Sequence, residues 1–145
     1  MRLRATLFAL MLASPVALAD AEAPKPGNLN ADVSLGYDAI QVRDFQGAVS
    51  FLTTAVRSEP NNADAHNLLG FAYRNLKKYD LAFKHYETAL RIEPKHKGAH
   101  EYIGEAYLLT GNKAKAQEHL VALERICGKG CEEYQDLARA IAQAK

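Results

Sequence analysis

The sequence predicts an all-α solenoid, a short stack of three helical hairpins closed by one further helix, and two observations carry that expectation. The chain repeats every 34 residues over positions 29–130: Leu35, Leu69 and Ile103 are equivalent, as are Gly36, Gly70 and Gly104, then Ala48, Ala82 and Ala116, then Pro60 and Pro94. Within each unit, apolar residues return at intervals of three and four, which is the spacing of one helix face. A unit this short cannot bury that face on itself and gains a core only by packing on its neighbours. The expected product is a curved stack whose inner wall can hold another chain.

In unit 29–62, Leu35 and Ala39 mark the inward side of a first helix, and Ala48, Leu52, Ala55 and Val56 that of a second, which Pro60 ends. In unit 63–96, His66, Leu69, Gly70 and Tyr73 fall at i, i+3, i+4 and i+7. After a break at Lys77 and Lys78 come Ala82, Tyr86, Ala89 and Leu90, and this helix stops ahead of Pro94 because proline disfavours helical geometry in the residue before it. In unit 97–130, Ile103, Gly104 and Tyr107 form the first face, Gly111 ends that helix as a left-handed cap residue, and Ala116, Leu120 and Leu123 face inward from the second. The recurring glycines are expected to let the two helices of a unit press together, with Ala48, Ala82 and Ala116 as the small residues opposite. Residues 131–145 break the repeat. Tyr134, Leu137, Ala138 and Ile141 keep helical spacing there, and Glu132 and Glu133 in the first turn complement the helix dipole, so a capping helix is expected over the apolar end of the stack.

Ahead of the repeats, Arg2 and Arg4 precede an apolar run at 7–13, then Ser14-Pro15 and Ala17-Leu18-Ala19, the pattern of a secretory signal peptide over 1–19 with cleavage between Ala19 and Asp20. The run is too short to span a bilayer comfortably, so the mature chain is expected in the periplasm or outside the cell, with no membrane insertion. Residues 20–28 carry Pro24, Pro26 and Gly27 and no apolar face, which predicts a mobile leader. Without Arg2 and Arg4, 16 basic residues stand against 17 acidic ones, a formal charge of −1. That balance, with basic residues scattered at turns, excludes a protein that works by neutralising nucleic-acid phosphates.

The central segment AHNLLGFAYRNLKKYDLAFKHYETALRIEP closely resembles the tetratricopeptide repeat: Leu69, Gly70, Tyr73, Ala82, Tyr86, Ala89 and Pro94 all fall on the signature positions. Departures are terminal, with Asp32 and Ala39 in the first copy and Gly128 in place of the last proline. The resemblance implies a right-handed superhelix whose first helices line a concave groove for a peptide or a partner's helix. It places Asn30, Val33, Tyr37, Ile40 and Gln41 in that groove from the first copy, and Asp64, Asn67, Phe71, Arg74 and Asn75 from the second. The third contributes Gly98, Glu101, Glu105, Leu108 and Leu109. On this reading Tyr37, Phe71 and Leu108 are apolar groups that the core does not need, while Gln41, Asn67 and Asn75 can bond a peptide backbone and Glu101 and Glu105 stand beside Arg74. Val33 and Tyr37 occupy the first two positions at which some relatives clamp a C-terminal carboxylate, which disfavours that ligand.

Cys127 and Cys131, the two cysteines, flank Gly128-Lys129-Gly130. In an exported chain a disulfide is the first reading, and a redox-active or copper-binding pair the alternative. His66 and His100 share one repeat position and His85 and His119 another, so stacking is expected to set each such pair on neighbouring units, as repeat inheritance rather than a metal centre. No nucleophile with a base, glycine-rich phosphate loop or paired-carboxylate pocket stands out, and Glu101 and Glu105 read as a solvated pair. The sequence therefore predicts a non-enzymatic adaptor without cofactor that binds another exported or envelope protein. Its rivals are a thiol or copper-handling protein and a self-assembling scaffold.

Overall fold

The computed structural model describes residues 30–144. The expected signal peptide, cut site and leader lie outside them. Seven helices follow one another: α1 (Ala31–Gln41), α2 (Phe45–Ser58), α3 (Ala63–Asn75), α4 (Tyr79–Ile92), α5 (Lys97–Leu109), α6 (Lys113–Cys127) and α7 (Glu132–Gln143). The first six pair as the hairpins α1–α2, α3–α4 and α5–α6, each packed on the next, and no strand occurs among the described residues.

Local chemistry sets the boundaries. Asn30, Asp44, Asn62, His96 and Asn112 each accept a hydrogen bond from a backbone N–H of the first turn, satisfying donors that the helix leaves unpaired. The first helix of every hairpin ends in the same way: Arg43, Lys77 and Gly111, spaced by the repeat, have φ of 61°, 59° and 81°. The next residue then bonds back to Ala39, Tyr73 or Tyr107 at 2.8, 2.9 and 2.7 Å. That is the Schellman closure, which requires a left-handed residue. α2 and α4 stop at Ser58 and Ile92, just ahead of Pro60 and Pro94.

One core runs from α1 to α5, and a second joins Ala116, Leu120 and Leu123 to Leu137 and Ile141 of α7. The capping helix expected after residue 130 is α7, which packs on both α5 and α6 and is tied to α5 by Lys97–Glu133 at 2.9 Å.

Three expectations need correction. The repeat glycines do allow close approach, but what stands opposite is not alanine. A Cβ on Gly36 would meet Leu52 at 2.5 Å, one on Gly70 the Tyr86 ring at 2.7 Å, and one on Gly104 Leu137 at 2.7 Å. Bulky side chains fill the space the glycines leave, and at the last unit that side chain comes from α7. Leu35, expected inward, is 46 % exposed, whereas its equivalents Leu69 and Ile103 are buried. The preceding hairpin that would cover its face is lacking among the described residues. The histidines pair inside units rather than between them, His66 with His85 and His100 with His119.

Cys127 and Cys131 sit at the α6–α7 corner with Cα atoms 5.9 Å apart and their sulfurs at bonding distance. Among the described residues, no helix is long and apolar enough to cross a membrane.

Candidate functional site

The inner wall is built by the first helices of the three hairpins. On α3 the residues Asn67, Phe71 and Arg74 share one face by helical spacing, and on α5 Glu101, Glu105 and Leu108 do the same. α3 lies between α1 and α5, which brings the two sets together. Arg74 forms an ion pair and hydrogen bond with Glu105, and both side chains are buried. The Arg74 guanidinium also lies 4.9 Å from the Phe71 ring centroid and 5.3 Å from that of Tyr102, and those rings meet edge-on at 5.1 Å. A planar cation suits such a place, since it can stack on aromatic faces while its edge bonds a carboxylate.

The wall is more closed than the sequence implies. Phe71 is 6 % exposed and part of the main core, Tyr37 packs against that core, and Leu108 packs against the α6–α7 cluster. None of the three is an apolar group held in reserve. Val33, Ile40 and Gly98 are buried as well. Asn30 is engaged with Asp32, Ser58 and Glu59 at the start of α1, and Asp64 with His96 at 3.0 Å. Gln41, Asn75 and Leu109 are exposed at the helix ends, Asn75 bonding the Phe71 carbonyl at 2.9 Å.

Two polar groups stand out against this packing. Asn67 is 1 % exposed, and neither its amide nitrogen nor its carbonyl oxygen has a hydrogen-bond partner. The Tyr86 hydroxyl is buried and unpaired too, and burial pushes its ionisation upward. Glu101, read as half of a solvated pair, is 5 % exposed. Burial, and after it the charges of Glu105, Asp136 and Glu133, push its carboxyl up to about 9, so it is a neutral acid at neutral pH. Sequence reasoning missed Tyr102, Glu133 and Asp136 as parts of this wall. Tyr102 matches core Leu68 in the unit before, and the two acids enter only because α7 folds back along α5.

At the corner beyond α6, the ligand atoms of Cys127, Cys131 and Glu133 lie within 4.8 Å of one another. Glu133 is shared between this cluster and the acidic side of the wall.

Comparisons with known proteins agree with this architecture. The family model described as tetratricopeptide repeat matches residues 63–96, and no curated protein matches the sequence. Similar solved structures include the Arabidopsis OM64 TPR domain, at 17 % identity and TM-score 0.70 over 77 % of this chain and 91 % of that one. The TPR2B domain of yeast Sti1, solved as a complex with pHsp70, gives 18 % identity and TM-score 0.70 over 79 % and 95 %. The Yersinia enterocolitica type III secretion chaperone SycD, in complex with a peptide of the translocator YopD, gives 18 % and 0.67 over 77 % and 84 %. Residues 63–96 thus match the tetratricopeptide repeat itself, and the described helices share the fold of solved tetratricopeptide-repeat domains.

Proposed function

We propose that the chain is a non-enzymatic adaptor, exported to the periplasm or secreted after cleavage between Ala19 and Asp20, whose inner wall holds a segment of another exported or envelope protein. The observation that carries this reading is Asn67, an amide buried in the middle of the wall with both polar atoms unpaired. A peptide group offers one acceptor and one donor, and an asparagine side chain complements both. Stability gives no reason for such a residue, because a buried unpaired polar group costs about 1–3 kcal/mol.

The charges around it narrow the guest. Arg74 is neutralised by Glu105 and Glu101 is a neutral acid, while the carboxylates of Glu133 and Asp136 stand on the α5–α7 side. A neutral or basic segment fits this wall, and an acidic tail does not. The peptide complexes of SycD and Sti1 support the same use of the fold. In an oxidising compartment the Cys127–Cys131 pair closes as a disulfide and holds α7 at its angle.

Capture from a periplasmic extract, with wild type and Asn67→Leu as paired baits, tests the binding reading. Proteins retained by wild type and lost by the variant are expected, and equal capture by both refutes it. Phe71→Ala with Arg74→Ala is a poor control, since it opens the core and strands the Glu105 charge. Sequencing the chain's N-terminus after cell fractionation tests export: a periplasmic or secreted product beginning at Asp20 is expected, and an uncleaved cytoplasmic one rules it out.

A further inference from the structure

Four of the five histidines form two pairs of one geometry. Nδ1 of His66 lies 3.1 Å from Nδ1 of His85, and Nδ1 of His100 lies 2.9 Å from Nδ1 of His119. In each pair the ring on the first helix has its Nε2 3.0 Å from a backbone carbonyl, that of Pro60 or Pro94. A carbonyl only accepts, so that Nε2 carries the hydrogen and the Nδ1 of the neutral ring presents a bare lone pair to its partner. The second ring of each pair is steadied by a stacked tyrosine, Tyr73 on His85 at 5.6 Å and 16°, Tyr107 on His119 at 5.8 Å and 19°. Burial lowers the basicity of all four rings, His85 and His119 to about 4, so they are uncharged at neutral pH.

Two imidazole nitrogens this close can share a hydrogen or share a cation. With ligand bonds of about 2.0 Å, adjacent nitrogens of a square site are about 2.8 Å apart and those of a tetrahedral site about 3.3 Å. Both observed separations fall in that interval. A backbone carbonyl on the far ring nitrogen is also the outer contact that orients metal-binding imidazoles. We propose that His66–His85 and His100–His119 are two copies of a bis-imidazole site for a borderline transition-metal dication, Cu(II) ahead of Zn(II), with water completing the coordination. Loading requires one rearrangement: the hydrogen on Nδ1 of His85 or His119 moves through solvent to Nε2 of the same ring, which frees both Nδ1 lone pairs without net proton release.

The surroundings rank the two sites. Arg91 acts on His66 and Lys84 on His85, both repelling a cation. At the second pair the Glu118 carboxylate offsets Lys115 and His96, so that site is the tighter one. The first unit has Asp32 and Phe51 at the equivalent places, which shows that the hairpin accepts phenylalanine where the second histidine stands.

The experiment is a titration of the untagged chain with Cu(II), followed by calorimetry and electron paramagnetic resonance. Two saturable equivalents are expected, each with a tetragonal signal coupled to two imidazole nitrogens. His119→Phe is expected to remove the tighter equivalent, His85→Phe the weaker, and the double variant both. A wild-type chain with no saturable binding overturns the proposal, as does unchanged stoichiometry in the double variant. The wild-type resonance serves independently of whether the variants fold, and a spectrum without imidazole coupling is equally fatal. Loss of binding in a chain carrying Cys127→Ser and Cys131→Ser overturns it too, by assigning the ion to sulfur.

Discussion

Asn67 and Tyr86 each bury a polar group that no neighbour satisfies, yet they call for different explanations. On the proposed reading, a guest that displaces the side chains covering Asn67 supplies both missing bonds, so that its cost is recovered on binding. The Tyr86 hydroxyl caps a ring whose packing against Gly70 is already complete, and Tyr86→Phe is expected to raise stability by about 1 kcal/mol, read as a higher midpoint in urea denaturation. A lower midpoint would mean that the hydroxyl has a partner in solution. The resemblance places Asn67, Phe71, Arg74, Glu101 and Glu105 on the wall, and helical spacing sets those of each helix on one face. Their burial was not legible in the sequence. Whether Phe71 stands free depends on Tyr102 reaching it from the next unit, and the acidity of Glu101 depends on α7 lying alongside. Spacing within one helix carries no information about either. The histidine pairs escaped for a related reason: the 34-residue period relates His66 to His100, whereas contact follows the hairpin, which sets residue 66 beside residue 85 just as it sets Gly70 beside Tyr86.

The seven helices themselves were well signalled, since prolines mark the ends of α2 and α4 and short polar side chains mark most of the starts. The tight turns within hairpins show what the period does and does not preserve. All three use a left-handed residue at the same place, but only the last is glycine. Lys77 adopts φ of 59° with a side chain that this region disfavours, so Lys77→Gly is expected to stabilise the fold by about 0.5–1 kcal/mol. Gly111→Ala is expected to cost a similar amount, entirely through the backbone, because nothing lies within 4 Å of where its Cβ would stand. Thermal melts of the two variants check both signs; shifts in the same direction would show that the turns are not equivalent.

Taken together, the described helices form a one-dimensional array whose ends differ. α7 closes one end through Leu137, which is fully buried against Gly104, while Leu35 is open at the other. Leu137→Ala is expected to destabilise the chain by about 2–5 kcal/mol and to loosen α7 and α6 together, seen as lost amide protection in both; loss confined to α7 would show that the second core is not cooperative. Between the ends, α3 and α5 are joined twice, by Asp64 with His96 near their starts and by Arg74 with Glu105 near their far ends. Asp64 and Arg74 lie about 15 Å apart along the α3 axis, so the two joints rivet the helices at both extremities of their shared length. A plate fastened at two points neither pivots nor widens at its middle. The spacing of α3 and α5 around Asn67 is therefore set by the fold itself, and on the proposed reading the adjustment needed for a fit falls on the visitor rather than on the arch.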